Sequence, residues 1–192
     1  MEEERQEMYP ASKVLAIDPG TTHSGVVLYD GTSAIWADAA CENSVVCDYM
    51  QDMQDQFAFG GGVVAIEDME SFGLRVGKEV FKTVRWSGRF EEQAICRGFP
   101  VCFVKRSQVK MFLCHKTAGA DDAAIRRVIM DRFLAPEGTK SAKGTKANPG
   151  PLFGVTGHAM SAMAVAVTFL ETRRAPWMPK NGPDPACGCV GQ

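Results

Sequence analysis

No stretch of this 192-residue sequence is a long apolar run. The roughly 20 consecutive apolar residues that cross a bilayer are missing. The opening Met1-Glu2-Glu3-Glu4-Arg5 is acidic and polar, the opposite of a secretory leader. A soluble, intracellular protein with no membrane partner is expected. Disulfide and zinc-ribbon spacings are missing too. The seven cysteines are scattered and odd in number, which points to reduced thiols. Cys187 and Cys189 are separated by one residue, tighter than the usual zinc spacing, and no second Cys/His pair stands nearby. Cys41, Cys47, Cys96, Cys102 and Cys114 are expected as small buried hydrophobes. Internal repeats and signs of a second domain are absent, and the length suits one sizeable core.

Net charge is nearly absent as well, at -2, but that balance hides a split. Gly73 to Lys146 carries 16 Lys/Arg against 7 Asp/Glu, while the remainder carries 5 against 16. The middle of the chain is strongly basic and its ends acidic. Local fields follow that distribution more than the sum. A polyanion-binding face and ordinary solvated helix faces are both consistent with it.

The elements read in a definite order. Lys13 to Asp18 is a strand that ends at Pro19-Gly20, Gly25 to Tyr29 a second, and Ser33 to Asp38 a third after an Asp30-Gly31 hairpin turn. Val45, Val46, Tyr49, Met50 and Met53 recur at helical spacing, predicting a helix over Ser44 to Phe57. Val63 to Ile66 is a short apolar run, predicted as a buried strand. Gly77 to Cys96 is a long helix whose packed side is expected to be Val80, Phe81, Val84, Gly88, Ala94 and Ile95. Pro100 to Val104 is the fifth strand, and Ser107 is placed to cap a short helix reaching Leu113. Asp121 and Asp122 open a helix over Ala123 to Phe133. Pro136 to Pro151 is expected as a mobile loop, Val155 to Leu170 as the last helix. Residues 1–12 and 174–192 are expected as flexible tails around one domain over 13–173. Three antiparallel strands followed by two parallel ones, flanked by helices, predict an α/β protein with the mixed five-stranded sheet of the RNase H-like fold.

Asp18 closes the first strand and Glu67 the fourth. If those strands are neighbours, both carboxylates emerge at one edge of the sheet, where oxygen ligands suit Mg2+ or Mn2+. Each alone reads as a strand-end acid facing water; the matched positions favour a metal site.

The run Ala16-Ile17-Asp18-Pro19-Gly20-Thr21-Thr22-His23-Ser24-Gly25 resembles the opening motif of RuvC-type Holliday junction resolvases. Ala65-Ile66-Glu67 resembles their second motif, and His158 to Ala166 their last helix. Ser71 to Arg89, Asp122 to Arg126 and Asn148 to Val155 are similar to phage and prophage members. The resemblance spans Val14 to Leu170; each motif is weak alone, and order and spacing together are specific. It implies a crossover-junction endonuclease of a bacterial cytoplasm, or of the host cytoplasm if phage-encoded. Such an enzyme nicks two opposed strands of a four-way junction as a homodimer, with two Mg2+ or Mn2+ ions per active site and no nucleotide cofactor. Asp18 and Glu67 map onto the first two acidic ligands and His158 onto the first position of the final helix. Ser161 stands where a second acid is usual, which removes a negative charge. Asp122, or its neighbour Asp121, is the candidate to restore it, with helix capping as the alternative for both. His158 is either a ligand or a proton relay.

Lys78, Lys82, Arg85 and Arg89 recur on one stripe of the long helix. Lys105, Arg106, Lys110 and Lys116 follow the fifth strand, and Lys140, Lys143 and Lys146 punctuate the loop. Such groups hold phosphates in a salt-dependent way. Thr21, Thr22 and Ser24 are placed to donate to phosphates beside the metals. Phe72, just past Glu67, either wedges against unstacked bases or packs in the core. Trp86 and Phe90 are expected at a dimer or core contact, and the long helix is the candidate dimer interface.

Three other readings compete. Gly20 to Gly25 also resembles the phosphate loop of sugar kinases and Hsp70-like ATPases. Those need two such domains, and the basic middle has no role there. The Ser161 departure admits a junction-binding protein that does not cut. An RNase H-like nuclease for other branched phage DNA, or for RNA, is the third.

Overall fold

The computed structural model describes residues 13–53, 62–70, 76–134 and 142–174. The strands are β1 (Lys13–Asp18), β2 (His23–Tyr29), β3 (Ala34–Glu42), β4 (Gly62–Asp68) and β5 (Val101–Lys105). The helices are α1 (Asn43–Asp52), α2 (Lys78–Cys96), α3 (Arg106–Cys114), α4 (Asp122–Arg132) and α5 (Ala159–Arg174). The sheet order is β3-β2-β1-β4-β5. β1, β2 and β3 pair antiparallel, whereas β1 with β4 and β4 with β5 pair parallel. This is the expected mixed sheet.

β1 and β4 are central and buried on both faces, so their sequences are continuously apolar rather than alternating. Alternation survives in where the side chains go. Val14, Ala16, Val63, Ala65, Cys102 and Val104 face a core shared with α3, α4 and α5. Leu15, Ile17, Val64 and Ile66 face a second core with Val46 and Met50 of α1 and Phe90 and Ala94 of α2. Helices therefore cover both faces of the sheet. α5 is sandwiched between the sheet and α3 and α4. Ala159, Ala162, Met163, Ala164, Val165, Ala166 and Val167 are all fully buried, and a helix buried all round is apolar all round.

The hairpin turn falls where expected. Gly31 takes φ 92, a value open to glycine, and the Asp30 carboxylate accepts from the amides of Thr32 and Ser33.

Several boundaries move. β3 continues past Asp38 to Glu42 and passes into α1 without a loop. α1 ends at Asp52 with Met53 as its C-cap, and the rest of the span expected to Phe57 lies outside the described residues. α5 starts four residues later and ends four later than predicted, so Arg174, assigned to the tail, closes the helix. Val155 is instead a buried core residue in the turn before it. Ser107 does not cap α3, which begins at Arg106 with Lys105 as its N-cap. The Ser107 amide and hydroxyl both donate to Glu70, which lies beyond the end of β4. The expected mobile loop is ordered over its described part. Leu152 N donates to Ala142 O, Ala34 N donates to Pro151 O, and Ala142 and Leu152 are fully buried. Apolar anchors at both ends close that segment onto the core, overriding its Gly/Lys/Pro composition.

The packed side of α2 also differs. Thr83, Ser87, Phe90 and Ala94 are buried, whereas Phe81, Val84 and Ile95 are 60%, 49% and 55% exposed. Apolar residues occupy two stripes of this helix, one packed on the sheet through Phe90 and Ala94 and one exposed. Among the cysteines Cys41 and Cys102 are buried, Cys47 and Cys114 half-buried, and Cys96 is exposed, contrary to expectation. The tails, Cys187, Cys189 and Lys140 lie outside the described residues.

Gly25 pairs with Asp18 across β1 and β2. A Cβ there meets the backbone carbonyl of His158 at 2.3 Å. Backbone cannot yield as a flexible side chain does, so Gly25→Ala pushes the start of α5 off the sheet. We expect it to lower thermal stability by about 1–3 kcal/mol, the usual cost of overpacking. Gly88→Ala, in the open interior of α2 with nothing within 4 Å, is expected to raise stability by about 0.4–1 kcal/mol. Thermal unfolding of the two variants checks both signs.

Candidate active site

Parallel pairing of β1 with β4 sets Ile17 opposite Ile66. The next residue on each strand, Asp18 and Glu67, therefore leaves the same end of the sheet. Strand alternation turns both toward the face covered by α3, α4 and α5. Parallel pairing of β4 with β5 sets Val104 opposite Glu67, so Arg106, the first residue of α3, emerges beside them. α4 brings Asp122 from its first turn, and the residue preceding α5 brings His158.

These groups touch. Arg106 Nη1 lies 3.1 Å from Glu67 Oε1, and Nη2 pairs with Asp122 Oδ1. His158 Nδ1 lies 3.3 Å from Asp18 Oδ2. The Ser161 hydroxyl stands near the Asp18 carboxyl and favours its charged form. Asp121 accepts from Ala124 N and caps α4. The two neighbouring acids differ in partner: Asp121 caps the helix, and Asp122 pairs with Arg106 beside Glu67. Beside them an open cleft of about 390 Å³ is lined by Arg106, Asp122, Arg126, His158 and Ser161, among others.

The Asp18 carboxyl is pushed up from its ordinary range by burial, against the pull of His158. Glu67 is pushed up to about 7, first by burial, then by the nearby charge of Asp18, with Arg106 opposing both. Two half-desolvated anions that repel one another are stabilised by any cation placed between them. The donors, carboxylates and one imidazole, suit Mg2+ or Mn2+ by type. Among the described residues no three His, Cys, Asp or Glu side chains are gathered closely enough to hold an ion as they stand. Arg106 is the cation between Glu67 and Asp122. The site fits a metal in donor chemistry, with a guanidinium at part of it.

The loop from Asp18 into β2 is braced. Gly20 N donates to Ser24 Oγ, the Ser24 hydroxyl donates to Asn43 Oδ1 at 2.7 Å, and Asn43 Nδ2 donates to Gly20 O. Ser24 is buried in this network, so its expected place on the DNA face is corrected: its hydroxyl proton is already engaged. Thr21 is half-buried and Thr22 exposed at the rim.

Lys78, Lys82, Arg85 and Arg89 are exposed on α2, with Lys82 on Glu79 and Arg89 over the Trp86 ring. Thr21, Lys82, Arg85, Trp86 and Arg89 line a groove of about 410 Å³ that joins the loop after Asp18 to the basic helix. Phe90 is core. Lys105 and Lys116 are exposed and Lys110 half-buried. Phe72 lies outside the described residues.

Sequence reasoning assigned Arg106 to DNA and missed that it sits among the acids. It also missed Asn43 and Glu70. An Asn before a helix reads as a cap, and nothing in sequence links Glu70 to Ser107, 37 positions away.

No protein-family model and no curated protein matches the chain. Among solved structures it is similar to RuvC of Thermus thermophilus, with 20% identity over 84% of this chain and 95% of that one, at a TM-score of 0.58. It is equally similar to T. thermophilus RuvC in complex with a Holliday junction substrate, with 21% identity over 85% and 96% and a TM-score of 0.58. Yeast mitochondrial Holliday junction resolvase Ydc2 matches at 11% identity over 86% and 80%, with a TM-score of 0.49. The first two matches define the fold: the chain has the RNase H-like architecture seen in RuvC.

Burial of Glu67 has a measurable cost. Below about 4.5 the carboxyl is protonated in folded and unfolded chains alike; between about 4.5 and 7 the unfolded chain releases its proton first. Folded metal-free protein therefore binds the extra proton and loses stability as pH rises through that window. Glu67→Gln, which mimics the neutral form, is expected to raise the metal-free Tm at pH 8 by a few degrees and to flatten its fall between pH 5 and 8. Unfolding scans without divalent ions read this directly; a lower Tm for the variant contradicts the burial argument.

Proposed function

We propose that this protein is a divalent-metal-dependent endonuclease that resolves four-way DNA junctions, nicking two opposed strands as a homodimer. The observation that carries the reading is the emergence of Asp18 and Glu67 from adjacent parallel strands, with His158 beside Asp18 and Asp122 joined to Glu67 through Arg106. The bound junction in the RuvC structure of the same fold supports the substrate class.

Asp18, Glu67, Asp122 and His158 would hold Mg2+ or Mn2+, which, when bound, activates a water and offsets charge on the scissile phosphate. His158, exposed at the head of α5 and beside Asp18, is the one nitrogen donor of that set. Ser161, near Asp18, stands where a second acid is usual and favours the charged form of that carboxyl. The basic groove between Thr21 and α2 suits the phosphates of one junction arm. Exposed Phe81, Val84 and Ile95 on the same helix suit a two-fold contact with a second copy, which a junction with near two-fold symmetry calls for.

Ser161 and the loose gathering of ligands favour one other reading, a junction-binding protein that does not cut.

A synthetic four-way junction incubated with Mg2+ or Mn2+ separates the two. We expect paired nicks in opposed strands, none with chelator, and a loss of at least about a hundredfold in rate for Asp18→Asn with junction binding retained. Binding without cleavage by the unaltered protein supports the alternative, and full activity of Asp18→Asn removes the metal assignment. Replacing Lys78 and Lys82 together is expected to weaken binding and reduce the slope of log K against log salt by roughly one to two. An unchanged slope places the DNA face elsewhere.

A further inference from the structure

Arg106 is more than another basic residue on a DNA face. Its Nη1 reaches both oxygens of Glu67, at 3.1 and 3.3 Å, while Nη2 pairs with Asp122. Asp18 also lies within its field. The side chain is only 22% exposed, against 84% for Asp122. Its backbone is anchored as well. Ser107, the next residue, donates through amide and hydroxyl to Glu70 at 2.9 Å each, and Gln108 Oε1 accepts from Lys105 N. The guanidinium is thus held by its own strand and helix over the acids that the nuclease reading assigns to metal.

We infer that Arg106 is the resident counter-ion of the metal-free site, and that divalent metal loads by displacing its guanidinium from Glu67 and Asp122. The inference rests on the proposed metal dependence. A cation of charge two and a guanidinium compete for the same carboxylate oxygens, and each excludes the other. Arg106 keeps Glu67 and Asp122 from repelling one another before metal arrives. Once released, it turns into the cleft that it already lines with Asp122, Arg126, His158 and Ser161, and with metal on Asp122 it needs a new anion there. An incoming DNA phosphate meets that need, since the planar guanidinium matches phosphate oxygens in a two-point contact. Metal and DNA then strengthen each other's binding through one side chain, and by linkage the effect is reciprocal.

Mn2+ binding to DNA-free protein, read from the electron paramagnetic signal of free Mn2+, tests this without any cleavage. Arg106→Gln is expected to bind Mn2+ about tenfold more tightly than the unaltered chain, within the usual span of coupled sites. Arg106→Lys, a point charge without the fork, is expected to fall between them. In the unaltered protein the guanidinium nitrogen resonance of Arg106 is expected to shift as Mg2+ is added, a readout that holds even if the variants fold poorly. Junction DNA is expected to tighten Mn2+ binding in the unaltered chain and to do so much less in Arg106→Gln.

Equal or weaker Mn2+ binding by Arg106→Gln, or a resonance that does not move as Mg2+ saturates, overturns the displacement while leaving the nuclease reading standing. Failure of every form, including Arg106→Gln, to bind Mn2+ overturns both.

Discussion

Everything at the candidate site depends on the parallel pairing of β1 with β4. That register puts two acids side by side at one end of a sheet whose central strands are apolar between their ends. Carboxylates in such a place are poorly hydrated and repel each other, which is why Glu67 is pushed up to about 7. The remaining site groups can be understood as responses to that concentration of negative charge. Arg106 arrives from the adjoining strand, His158 from the head of α5, and Ser161 from the first turn of the same helix.

The scaffold holds these responses in place through close approach. α5 presents alanine and valine to the sheet and lets its first turn settle against Gly25, directly across from Asp18. The Ser24–Asn43–Gly20 network ties the loop after Asp18 to the head of α1, on the opposite face. Glu70 ties the start of α3 to the end of β4. A site built on strand ends and helix termini, braced from both faces, keeps its acids in position while leaving the cleft open.

α2 has a different part. Its inner stripe is narrow and partly polar, with Thr83 and Ser87 returning their hydroxyls to backbone carbonyls one turn earlier. Its outer surface carries both the basic stripe and the exposed Phe81, Val84 and Ile95. Exposed apolar side chains beside a basic stripe accord with the proposed DNA groove and second copy.

Strand order, the mixed sheet and the two strand-end acids were legible in sequence, because apolar runs bounded by Pro-Gly, Asp-Gly and acidic ends leave few alternatives. The motif around Asp18 pointed to the same architecture. The packed face of α2 was not legible, since periodicity says that a helix has an apolar stripe and not which of two stripes the sheet will cover. Nor was the order in 142–151, where buried Ala142 and Leu152 outweigh a composition typical of loops. Sequence by itself therefore determined the elements and the presence of Asp18 and Glu67 at strand ends. Tertiary structure alone decided that Asp122 rather than Asp121 pairs with Arg106, that Ser24 is internal, and that Arg106 stands between Glu67 and Asp122. Propensity and pattern act along the chain over a few residues, whereas charge and hydrogen-bond pairing across 39 or 140 positions exist only once the sheet and helices have packed.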